Sequence, residues 1–67
     1  MYLVYKYVAT GADELIGYAH SKVEFKNFCA KKGLTQIRKG EDRYGKEAPY
    51  GYYKDVYYIA KVKAIAN

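Results

Sequence analysis

The chain has 67 residues, 51 % of them apolar, with twelve Lys and Arg against seven Asp and Glu, a formal charge of +5 and a pI near 9.3. That length allows one domain, residues 1–67, close to the lower limit at which a chain buries enough surface to fold without disulfides or metal, so self-association would add stability. The apolar fraction and dispersed charges exclude a disordered tail, and no apolar run approaches the roughly 20 residues that cross a bilayer.

Tyr2 to Ala9 is rich in aromatic and β-branched residues and predicts a first strand. Thr10-Gly11-Ala12-Asp13 has turn composition, and Glu14 to Ala19 predicts a second strand, completing a hairpin. Ser21 and Glu24 then form the pattern S-x-x-E, in which hydroxyl and carboxylate each satisfy an unpaired backbone N–H at a helix start. Phe25, Phe28 and Cys29 recur at helical spacing as one apolar stripe. Gly33 stands where a left-handed C-terminal cap takes glycine, and Leu34 after it is placed to touch Cys29.

Leu34 to Lys39 predicts a short third strand or a turn of helix, and the charged, glycine-punctuated Gly40 to Ala48 predicts an exposed loop closed by Pro49. The last stretch, Tyr50 to Ala66, holds five of the ten tyrosines. From Val56 it alternates, with Val56, Tyr58, Ala60, Val62 and Ala64 on one side and Tyr57, Ile59, Lys61, Lys63 and Ile65 on the other. The first set is uncharged and is expected to face the helix; the second is expected to face solvent or a partner. The order ββαββ predicts an α+β domain, an antiparallel sheet of three to four strands with one helix on one face.

Cys29 and His20 are the one conceivable nucleophile and base, but Cys29 lies in the core stripe and His20 precedes the helix cap about a helix length away. Neither catalysis, a metal site nor a cofactor is expected. The segments VYKYV, LIGYAHS and FKNF resemble the opening of the GIY-YIG nucleases, yet residues 22–32 contain no arginine where that family carries a catalytic one, so the activity is not transferred. The segment FCAKKGLTQIRKG resembles a helix-turn-helix, but Thr35 to Lys39 is too short for a recognition helix.

Ten tyrosines cannot all bury their hydroxyls in so small a core, so several are expected at the surface. Tyrosines beside cations suit stacking on single-stranded nucleic acid or anchoring of a protein interface. The expected function is therefore a small basic, non-catalytic module that binds nucleic acid through Arg38, Lys39, Tyr50, Tyr52, Tyr53, Tyr57, Lys61 and Lys63. The alternative is an accessory protein of the short phage type that binds a host protein with an acidic surface through the same tyrosines. A membrane partner is not expected, whereas a homodimer is compatible with the size. A cytoplasmic setting is expected, because the N-terminus lacks a leading basic segment and Cys29 is single.

Overall fold

A computed structural model describes residues 1–62. Strands β1 (Tyr2–Lys6) and β2 (Glu14–Ala19) form the N-terminal hairpin, followed by helix α1 (Lys22–Lys31), the two-residue β3 (Thr35–Gln36), β4 (Arg43–Glu47) and the nine-residue β5 (Tyr53–Lys61). The strands make one sheet in the order β2-β1-β5-β4-β3, every neighbouring pair antiparallel. Over the described residues the fold is thus a small α+β one, with one antiparallel five-stranded sheet and one α-helix. Among the described residues no helix is long and apolar enough to cross a membrane.

Strand β5 occupies the centre, paired with β1 on one side and β4 on the other. The alternating pairings leave β2 and β3 running in the same direction at opposite edges. Helix α1 therefore carries the chain from one edge to the other, over a single face of the sheet.

The helix ends as its punctuation requires and begins with the hydroxyl half of the expected capping box. Ser21 Oγ accepts from the Glu24 N–H at 3.2 Å, and at the other end Gly33, at φ 73°, donates to the Ala30 carbonyl while Leu34 donates to that of Cys29, the paired bonds of a Schellman cap. Leu34 and Cys29 then meet in the core with Val4, Ala19, Phe25 and Tyr57. Phe25 and Cys29 are 1 % and 0 % exposed, whereas Phe28 is only half-buried, its ring edge-on to Tyr57 at 5.5 Å. Phe25, edge-on to Tyr44 at 5.5 Å, is the deeper anchor of the two.

Two expectations are corrected. The segment 40–48 is not all loop: Arg43–Glu47 is a strand, which raises the sheet to five and the order to ββαβββ. The faces of the last strand are also reversed, since Tyr57 is 7 % exposed in the helix-side core and Ile59 packs against it. Lys61, on the same side, is exposed beyond Ile59 and needs no buried partner, and Lys6 and Lys32 set their charged ends over the Tyr57 ring at 5.9 and 5.7 Å.

Candidate binding face

The face of the sheet opposite α1 has no covering layer among the described residues. Register with the core identifies its side chains. Val4 and Tyr57 point to the helix, so the intervening Leu3, Tyr5, Val56 and Tyr58 point away, and Tyr5 lies directly across from Tyr58 on the two central strands. Their rings are 18° from parallel with centroids 5.4 Å apart, within the range of favourable offset stacking. Arg43, paired with Tyr58 from β4, places its guanidinium carbon 5.5 Å from the Tyr58 centroid. An arginine and two tyrosines thus form a row across β4, β5 and β1.

A bulge at Asp55, whose φ is +50°, draws Val56 and Tyr53 together on this face. Gly45 makes the close approach feasible: a Cβ there would meet the Lys54 carbonyl oxygen, Tyr53 Cβ and Val56 Cγ2, each at 3.2 Å. Two open depressions of about 710 and 480 Å³ meet along Ile37, Arg43 and Tyr58, the first reaching Arg38 and the second Tyr7, Tyr53 and Asp13.

Asp13 anchors the hairpin turn to this row. Its Oδ1 accepts from the Val8 N–H at 3.0 Å and its Oδ2 accepts from the Tyr58 hydroxyl. The hydroxyl's bond holds the Asp13 carboxyl below its ordinary value of 3.8, helped by the Val8 bond and the nearby Arg43 charge, and the same bond raises the Tyr58 phenol. Arg43 thereby faces a carboxylate without a direct ion pair to it, and its guanidinium keeps donors for a ligand.

The expected site residues divide. Arg38 and Tyr53 line the open face and Lys39 follows Arg38 in the adjoining loop. Tyr50 lies within the turn Pro49–Gly51 between β4 and β5 and Tyr52 directly follows it, 97 % and 53 % exposed. Tyr57 and Lys61 belong to the helix side, and Lys63 lies outside the described residues. Tyr5, Tyr58, Arg43 and Asp13 complete the face and are not among the residues expected from the sequence. Nothing local marks them: Asp13 stands in a turn, Arg43 in a stretch with loop composition, and Tyr5 meets Tyr58 only through a strand pairing distant in sequence.

Charge is segregated between the faces. By register Lys6, Lys46, Lys54 and Lys61 lie on the side of Tyr44 and Tyr57, and the covering helix adds Lys22, Lys26 and Lys31, with Lys32 at its C-cap. The open face carries Arg43 and Arg38 together with acidic groups, Asp13 and by register Glu47, and Arg38 lies 4.0 Å from Glu41. Cys29 is sealed in the core, where burial pushes its thiol up to about 11, too high for a nucleophile at neutral pH. Among the described residues no three His, Cys, Asp or Glu side chains gather in a way that could hold a metal ion.

No protein-family model matches the chain, and neither curated proteins nor solved structures give a match. What the fold and this face define is a class: a single antiparallel sheet with one face sealed by a helix and the other an uncovered tyrosine and arginine surface.

Proposed function

We propose that the protein binds single-stranded nucleic acid on the open face of its sheet. The observation that carries this reading is the row Tyr5, Tyr58 and Arg43 across the central strands of an uncovered face. Aromatic side chains on central strands are the physical basis on which sheet platforms hold unpaired bases, while cations alongside take the phosphates. Here bases would rest on Tyr5, Tyr7 and Tyr53, with phosphates on Arg43, Arg38 and Lys39. The lysines of the other side supply the long-range field that draws a polyanion towards a chain of charge +5. A duplex hides its bases from such a platform. No step in this reading requires catalysis, and a cytoplasmic setting suits it.

A second reading has an observation of its own. The open face is rich in Tyr and Arg while most of the lysines lie on the other side, the composition of the centre of a protein interface. An acidic host protein would dock there, as for a small phage-type accessory protein.

Fluorescence anisotropy with a labelled single strand and the matching duplex, over a salt series, separates the two. The first reading expects single-strand binding that falls steeply with salt, and a loss of about 1 to 3 kcal/mol in Tyr5→Ala. Absence of oligonucleotide binding at low salt would overturn it.

A further inference from the structure

We infer that a second copy of this chain pairs with the free edge of β2, joining two sheets into one. The two edges of the sheet differ. At one end β3 is two residues long, too short to template a partner, while at the other β2 offers six residues with no neighbour on its outer side among the described residues. Three large apolar side chains on β2 are exposed: Leu15 by 55 %, Ile16 by 43 % and Tyr18 by 63 %.

Charge selects another copy as the occupant. Each copy carries +5, so two copies repel unless they meet where the cations are missing, and residues 7–21 contain no Lys or Arg at all. That stretch includes the whole of β2. A polyanion has nothing to grip there, whereas a like-charged copy can approach.

The strand is also complementary to itself. A bulge in β2 sets Leu15 opposite Tyr5 and Tyr18 opposite Leu3, so both lie on the open face although three residues apart. Ile16 and Gly17 both fall on the helix side, where Ile16 lines a groove with Phe25 and Phe28. In an antiparallel pair centred between Ile16 and Gly17, Leu15 meets the partner's Tyr18 on one face. On the other, Ile16 lies over the partner's Gly17, which has no atoms within 4 Å of where a Cβ would stand. Each apolar group of one copy thus fills a vacancy or meets an apolar group of the other. The outcome is a ten-stranded sheet whose tyrosine face continues across the joint. An edge joint is small beside a standard interface of ~1,600 Å², so pairing is expected to depend on protein concentration.

Sedimentation equilibrium over a wide range of concentration tests this, with hydrogen exchange of the β2 amides read alongside. The parent is expected to move from 7.7 kDa towards twice that mass as concentration rises, with added protection confined to Glu14–Ala19. Leu15→Lys and Tyr18→Lys, both at exposed positions, are expected to remain monomeric with an unchanged circular dichroism spectrum. Thr35→Lys, at the opposite edge, is expected to associate as the parent does. A parent that stays monomeric at millimolar concentration overturns the inference, as does a dimer that survives Leu15→Lys and Tyr18→Lys together. Loss of the dimer in Thr35→Lys alone would likewise overturn it, since the joint would then be at β3.

Discussion

Single hydrogen bonds carry much of the geometry of the open face, and the one between Tyr58 and Asp13 makes that face sensitive to acid. A carboxyl held below its ordinary value in the folded chain contributes stability that is complete above 3.8 and is lost as pH falls through its lower folded value. The Tyr58 phenol is raised, so its share is complete below 10 and is lost only as pH climbs past its folded value. Between those limits the pair contributes a constant amount. Tyr58→Phe removes the largest cause of the Asp13 shift, and its carboxyl then titrates nearer to the unfolded one. Melting temperatures at neutral pH and at a pH below 3.8 check this: the parent should lose more on acidification than Tyr58→Phe does. Equal losses would mean that the hydroxyl does not hold the carboxylate.

At the scale of elements, β4 shows how a strand can be hidden from a reading of sequence. The segment RYGKE holds three charges and a glycine, the texture of a loop. Its alternation is real nonetheless: Tyr44 packs on Phe25 beneath the helix, and Arg43 crosses to the open face. Gly45, which marks a break in the pattern, is there because the backbone and side chains of β5 come within 3.2 Å of where its Cβ would stand. Gly45→Ala must push back the Lys54 carbonyl and the Tyr53 and Val56 side chains, and should destabilise by about 1 to 3 kcal/mol. Urea titration measures it, and a midpoint equal to the parent's would show that the bulge at Asp55 yields freely. The helix, by contrast, is legible because its signals are local. Ser21, Gly33 and the Phe25 and Cys29 spacing each act within a turn or two of chain. The hairpin is legible for the same reason, with β2 running over Glu14–Ala19 as expected.

For the molecule as a whole, the decisive quantity is which side of β5 the helix covers, and that is set by partners distant in sequence. Both sides of DVYYIAKVK alternate and both include tyrosine, so the lysines were the natural mark of the solvent side. They mislead because α1 covers Tyr57 and Ile59, and Lys61 lies past them in solvent. The candidate face was therefore legible in composition, as surface tyrosine with cations, but not in its membership. This separation of charge yields a kinetic prediction that rests on the single-strand reading. Cations remote from the contact raise the association rate through the field they create, whereas a group that touches the ligand governs how fast it leaves. Lys26→Glu with Lys61→Glu changes two exposed helix-side positions, and since each reversal removes two positive charges the formal charge falls from +5 to +1. In stopped-flow measurements with a labelled single strand, this variant should associate about tenfold or more slowly at low salt and dissociate nearly as the parent does. Arg43→Gln should do the reverse, with faster dissociation and a modest change in association. If Lys26→Glu with Lys61→Glu instead accelerates dissociation and Arg43→Gln leaves it unchanged, the strand lies on the helix side, and the tyrosine row serves another partner.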